Sequence, residues 1–188
     1  YCFDPGFLHP GSKQYQHLCF TGGEPLMATG QLASMGIYKA LKKKNNLPKS
    51  MTFETNGTQT LREPFKQWIK DIPEEIFFSV SPKLFTVSGE KTEKAIKPEN
   101  VAEYTECSNR GQLKFVVGAA DREWDELEMT VEKFRKAGVQ WPVWIMPTGA
   151  REEEQVATAG QVAEKAFKKG YNVAARVHVY LFGNAIGT

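Results

Sequence analysis

Leu18-Cys19-Phe20-Thr21-Gly22-Gly23-Glu24-Pro25-Leu26 decides how this chain folds: a short apolar run, two glycines, a carboxylate, then a helical pattern. An apolar run that ends in Gly-Gly and passes into helical periodicity reads as a strand leaving a sheet at its C-terminal mouth. Glycines there let backbone approach a ligand without a Cβ in the way. A glutamate beside them can hold an ammonium group, so Gly22, Gly23 and Glu24 predict a ligand with a primary amine.

Similar apolar segments recur along the chain. Residues 18–21, 51–54, 76–81, 113–117, 143–146 and 173–182 are rich in β-branched and aromatic side chains and predict six strands. Helical patterns lie between most of them: Leu32, Met35 and Leu41 after the first strand, Leu127, Val131 and Phe134 closed by Gly138, and a run from Glu152 to Lys169 that stops at Gly170. Lys42, Lys43 and Lys44 sit at the end of the first helical pattern, where cations suit the helix dipole. The polar stretch from Phe85 to Glu106 predicts a surface loop with one short helix, and Cys107 falls in the same polar surroundings. Strand–helix alternation implies parallel strands in an α/β domain spanning residues 1–188.

Composition excludes several classes. With 188 residues, 41% hydrophobic and 24% charged, the chain has ordinary globular make-up. Its net charge of +2 makes no electrostatic case for nucleic acid. No long apolar run and no leader pattern are present, so no membrane partner is expected, and a soluble cytoplasmic protein is. Cys2, Cys19 and Cys107 lack disulfide-like spacing and read as thiols or ligands. The chain opens on Tyr1 rather than Met, so further residues are expected before Cys2. Only 19 residues separate Cys2 from Gly22, and Pro5, Gly6, Pro10 and Gly11 among them are poor helix material, so the helix that a parallel crossover needs is not visible. Either this connection is abbreviated, or residues between Asp4 and His17 are missing.

Period two places polar groups on one face of several strands. Ser79, Ser81 and Lys83 alternate with Phe78, Val80 and Pro82; Arg176, His178 and Tyr180 alternate with Val177, Val179 and Leu181. Glu54 and Asn56 flank Thr55, and Lys114 lies among Leu113, Phe115, Val116 and Val117. Because helices cover the outside of a parallel α/β protein, these faces point into the mouth of a barrel and converge on one cavity. Ligands of such folds bind at the strand C-terminal ends, where Gly22-Gly23-Glu24, Glu54-Thr55-Asn56-Gly57, Ser81-Pro82-Lys83 and Met146-Pro147-Thr148-Gly149 fall. Lys83, Lys114, Arg176 and His178 supply enough positive charge to receive a carboxylate and a polar heterocycle, and would repel one another without such a ligand.

These segments, in this order, resemble the radical S-adenosylmethionine enzymes, and among them the 7-carboxy-7-deazaguanine synthase family of queuosine and 7-deazaguanine biosynthesis. The resemblance rests on Phe20-Thr21-Gly22-Gly23-Glu24-Pro25-Leu26, Phe53-Glu54-Thr55-Asn56-Gly57-Thr58, Val80-Ser81-Pro82-Lys83-Leu84, Leu113-Lys114-Phe115-Val116-Val117, Ile145-Met146-Pro147 and Arg176-Val177-His178 with Gly183-Asn184. It implies a partial, open (β/α)6 TIM-like barrel of the radical S-adenosylmethionine type, its N-terminal strand and cluster loop lying before the present chain.

The resemblance further implies a lyase with three cofactors: a 4Fe-4S cluster, S-adenosyl-L-methionine and Mg2+. The cluster would cleave S-adenosylmethionine reductively, and the resulting 5′-deoxyadenosyl radical would abstract hydrogen from 6-carboxy-5,6,7,8-tetrahydropterin, whose ring contracts with loss of ammonia. Gly22, Gly23, Glu24, Glu54, Ser81, Pro82, Lys83, Met146 and Pro147 would bind S-adenosylmethionine, with Gly23 and Glu24 on its amine and Met146-Pro147 against adenine. Thr21, Asn56, Lys114, Arg176 and His178 would face the pterin. An external electron donor such as flavodoxin is implied, and a homodimer. The family's CxxxCxxC run is absent; Tyr1-Cys2-Phe3-Asp4 resembles its tail, with Cys2 a cluster ligand and Asp4 a Mg2+ ligand. Two other expectations stay open: a glycyl-radical activating enzyme, and a cluster-free relative acting as a binding module.

Overall fold

A computed structural model describes residues 17–149, 152–177 and 179. Six strands form one sheet: β1 (His17–Phe20), β2 (Ser50–Thr55), β3 (Glu75–Val80), β4 (Gly111–Val117), β5 (Val143–Pro147) and β6 (Asn172–Val173). Every neighbouring pair is parallel and the spatial order is β1-β2-β3-β4-β5-β6. A doubly wound sheet reverses its order at some point. This one never does, so successive crossovers pile up on the same face and the sheet curls like part of a barrel. Among the described residues β1 and β6 are not paired with each other, so the sheet they edge is open.

The crossovers carry α1 (Ala28–Lys43), α2 (Glu63–Asp71), three helices between β3 and β4, namely α3 (Phe85–Ser88), α4 (Thr92–Ala95) and α5 (Pro98–Cys107), then α6 (Asp121–Lys136) and α7 (Glu152–Lys168). The alternating strand residues that meet these helices form the core: Met51, Phe53, Ile76, Phe78, Leu113, Phe115, Val143 and Ile145 are all buried. Phe53 sits at its centre, stacked on Phe20 and Phe78 with centroids 4.9 and 5.9 Å away and edge-on to Phe65 at 5.4 Å. The opposite face carries Glu54, Ser79, Lys114 and Met146, the polar inward face that period two predicts.

The structure corrects several boundaries. Of the predicted strand over 173–182, the described residues form strand only at Asn172–Val173; Ala174 N makes a 2.8 Å bond to Ile145 O, and Val179 N then turns back to Arg176 O. The ladder stops because the next donor on β5 would be Pro147, which has no N–H. Arg176 therefore reaches the site from a loop, and Val177 is exposed rather than packed behind a strand. In α1 the buried stripe is Gln31, Ser34, Tyr38 and Leu41, while Leu32 points outward. Gln31 can be buried because its amide donates to Leu26 O and Thr60 O and accepts from Arg62 N. The polar stretch after Phe85 holds three helices instead of one, and Cys107 ends α5 rather than lying in a loop. Pro98 in the first turn starts α5, and Val101 and Tyr104 bury its inner face. Helix α2 is an addition to the sequence reading: its signal is Pro64 in the first turn and only two buried residues, Phe65 and Ile69. The lysines 42–44 do end α1. Cys2, Asp4 and the short connection before His17 lie outside the described residues.

Candidate functional site

Gly22 and Gly23 leave β1 with φ of +86° and +58°, a left-handed path that favours glycine. A Cβ built on either would meet nothing within 4 Å, so the space above this turn is open. Glu24 follows and folds back. Its Oε1 accepts from Leu26 N at 3.0 Å and from the Thr55 hydroxyl at 2.6 Å, and its Oε2 accepts from Asn56 N at 2.8 Å. One carboxylate thus ties the end of β1 to the end of β2. A carboxylate has about four acceptor positions, so the Oε2 side keeps capacity for an ammonium.

The loop after β2 is held from below. Asn56 Oδ1 accepts from the backbone N and the hydroxyl of Thr58, an Asx turn that fixes the Asn56 side chain. On α5, Asn100 donates to Thr58 O and the Tyr104 hydroxyl donates to Gln59 O. Burial, and secondarily the negative charge of Glu24, push the Tyr104 phenol well above its ordinary range, so it remains a neutral donor. Thr55 joins the two layers, since its hydroxyl gives to Glu24 and accepts from Gly57 N. Sequence periodicity assigns Thr55 to the opposite face from Glu54 and Asn56; the only signal for its role is its position as the last residue of the strand.

Glu54 stands on the inward face of β2. It accepts from the Thr21 hydroxyl at 3.0 Å on one oxygen, and Lys114 Nζ lies 3.4 Å from the other. Ser79 accepts from the Gln112 amide at 2.9 Å. Arg176 directs Nε at Met146 Sδ and Nη1 at Gly149 O, each at 3.3 Å. For Lys114 the expected repulsion among the cations is therefore offset by its carboxylate partner, while Arg176 donates to neutral acceptors of its own.

A cavity of about 320 Å³ opens at the C-terminal ends of the strands. Of the sequence candidates, Thr21, Gly22, Gly23, Glu24, Glu54, Asn56, Ser81, Lys83, Lys114, Met146 and Arg176 line it, joined by Thr55, Ser79 and Val116. Its charged lining is the carboxylates of Glu24 and Glu54 with the cations of Lys83, Lys114 and Arg176, Lys114 being paired with Glu54. Pro82 and Pro147 are buried behind the lining residues instead. His178 lies outside the described residues. Cys19 lies on β1 and Cys107 at the end of α5, and no group of three metal-binding side chains occurs among the described residues. No helix among them is long and apolar enough to cross a membrane.

No family model matches the chain. It is similar to the 7-carboxy-7-deazaguanine synthase of Rhodopirellula baltica, with 27% identity over 183 residues. That match covers 92% of this chain, which spans 64% of the length of the relative. Its fold resembles that of Streptococcus suis SuiB bound to S-adenosylmethionine, with a TM-score of 0.51, 14% identity, and coverage of 92% of this chain and 42% of SuiB. The SuiB structure bound to precursor peptide SuiA gives a TM-score of 0.52 at 12% identity, covering 85% of this chain and 38% of SuiB. The chain is thus similar across most of its length to a 7-carboxy-7-deazaguanine synthase, and its open parallel α/β sheet shares the fold of SuiB.

Proposed function

We propose that this chain is the core of a radical S-adenosylmethionine lyase that converts 6-carboxy-5,6,7,8-tetrahydropterin to 7-carboxy-7-deazaguanine with loss of ammonia. The observation that carries this reading is the convergence of two carboxylates and three cations on one cavity at the strand ends. Carboxylates Glu24 and Glu54 border an open glycine turn; Lys114 pairs with Glu54, and Lys83 and Arg176 complete the charged lining.

S-adenosylmethionine carries both an ammonium and a carboxylate, and the lining offers a partner for each. Glu24 has acceptor capacity left after its three internal bonds, and the open space over Gly22 and Gly23 admits the methionyl end without a side chain in the way. Ser81 and Lys83 supply a hydroxyl and a cation for its ribose and carboxylate, and Met146, backed by buried Pro147, offers an apolar surface to adenine. Lys114 and Arg176 then receive the pterin carboxylate, with Thr21 and Asn56 as hydrogen-bonding groups beside them. When bound, S-adenosylmethionine with a 4Fe-4S cluster supplies the hydrogen-abstracting radical. The protein orients the two reactants against each other and excludes water. Cys2 is the proposed cluster ligand and Asp4 the proposed Mg2+ ligand. An external electron donor, a cytoplasmic setting and a homodimer belong to the same proposal.

The test is anaerobic. The full-length protein is reconstituted with iron and sulfide, given reductant, S-adenosylmethionine, Mg2+ and the carboxypterin, and its products are followed by mass spectrometry. The expected products are 5′-deoxyadenosine and 7-carboxy-7-deazaguanine together. 5′-Deoxyadenosine alone would overturn the substrate and leave room for a glycyl-radical activating enzyme. Neither product, with no bound iron, would favour the cluster-free binding module.

A further inference from the structure

Lys83 reaches the cavity from a segment whose fixation comes from outside the site. Pro82 and Leu84 are buried and Lys83 between them is exposed to the cavity. On its N-terminal side the segment is tied to the sheet by Ser81 N, which donates to Thr55 O at 2.7 Å. On its C-terminal side it enters α3, a four-residue helix whose N-cap is Leu84 and which has no side-chain cap of its own. The missing cap is supplied from α6, some forty residues away. Glu126 Oε1 accepts from Phe85 N at 2.8 Å, and its Oε2 accepts from Thr86 N at 2.8 Å and from the Thr86 hydroxyl at 2.6 Å. A carboxylate that accepts three bonds at the N-terminus of a short helix holds it far better than water could.

We propose that Glu126 is a positioning residue: from α6, outside the cavity, it sets the reach of Lys83 toward the anionic group of the bound ligand. This rests on the reading that the cavity takes S-adenosylmethionine. A cation held at both flanks meets a carboxylate with little loss of freedom. The same lysine leading into a frayed α3 must be ordered each time the ligand binds.

The experiment is a double-mutant cycle on the reconstituted full-length protein, with S-adenosylmethionine affinity measured by equilibrium dialysis for wild type, Glu126→Gln, Lys83→Ala and the double variant. Glutamine keeps one acceptor oxygen but loses the charge and the second acceptor. Glu126→Gln is expected to raise Kd about tenfold, and to add nothing in the Lys83→Ala background. Thr86→Val, which removes only the hydroxyl bond, is expected to give a smaller rise with the same dependence on Lys83, and decides the matter if Glu126→Gln does not fold. An unchanged Kd, or an effect of equal size with and without Lys83, would overturn the positioning role while leaving the cofactor reading in place. Failure of the wild type to bind S-adenosylmethionine would remove the cofactor reading, and this proposal with it.

Discussion

Glu24→Gln separates the architectural role of this glutamate from its place in the cavity. The carboxylate accepts from Leu26 N and the Thr55 hydroxyl on Oε1 and from Asn56 N on Oε2. Glutamine has one acceptor oxygen. If its carbonyl takes the Oε1 position, its NH2 group is aimed at Asn56 N–H, donor against donor; in the other orientation the amide faces Leu26 N–H and the Thr55 hydroxyl. At least one backbone donor loses its partner in either orientation. Losing a hydrogen bond to a charged acceptor and orphaning a donor costs about 1–3 kcal/mol, and partial burial puts this site near about 1–2. For a chain of this size that corresponds to a drop in Tm of roughly 3–6 °C. Urea and thermal unfolding of the full chain, followed by circular dichroism, measure it directly. S-adenosylmethionine binding should fall as well, because the mouths of β1 and β2 are no longer held together. Unchanged midpoints for Glu24→Gln, with Glu24→Ala also neutral, would show that these bonds do not organise the site, and the argument built on them would fail.

Phe53→Ala removes a fully buried ring from the centre of an aromatic cluster, and should cost about 3–5 kcal/mol in urea unfolding; a loss under about 1.5 would mean that the cluster is not packed as described. Lys114→Met should change stability by less than about 1 kcal/mol, because its pair with Glu54 is partly exposed. The same variant should raise KM for the carboxypterin far more than for S-adenosylmethionine, and equal rises would move Lys114 out of the proposed pterin subsite. Burial, with the bond to Glu74, pushes the Tyr38 phenol up to about 12 from an ordinary 10. A pKa raised in the folded state stabilises fully below pH 10 and loses that contribution as pH rises toward 12. Tyr38→Phe should accordingly flatten the fall in stability between pH 10 and 12; an identical pH dependence in the two proteins would refute the assignment.

Much of the sheet was readable because its strands obey two simple periods. β4 alternates buried and half-buried residues without a break, so Lys114 is placed on the inward face by counting alone. The same counting fails for Arg176 because the sixth strand ends where Pro147 cannot donate, a constraint that belongs to the neighbouring strand and not to residues 174–180. Leu32 misleads in α1 because hydrophobicity is not burial: the inward stripe includes Gln31, acceptable only because Leu26, Thr60 and Arg62 satisfy its amide. Helices α3, α4 and α5 escape a periodic reading because two of them span four residues each, barely one turn.

The chemistry of the cavity is local information. Glycines and a carboxylate at a strand mouth, and inward polar groups on the following strands, are fixed by residue type and alternation, and they point to a polar, multi-point ligand with a primary amine. Which of those groups are spent on the protein and which face the ligand is non-local. Glu24 bridges two strand ends, Glu54 joins Thr21 to Lys114, and Glu126 holds the segment of Lys83 across some forty residues. Hydrogen bonds depend on distance and angle between groups far apart in the chain, so the division between scaffold and site exists only in the folded protein.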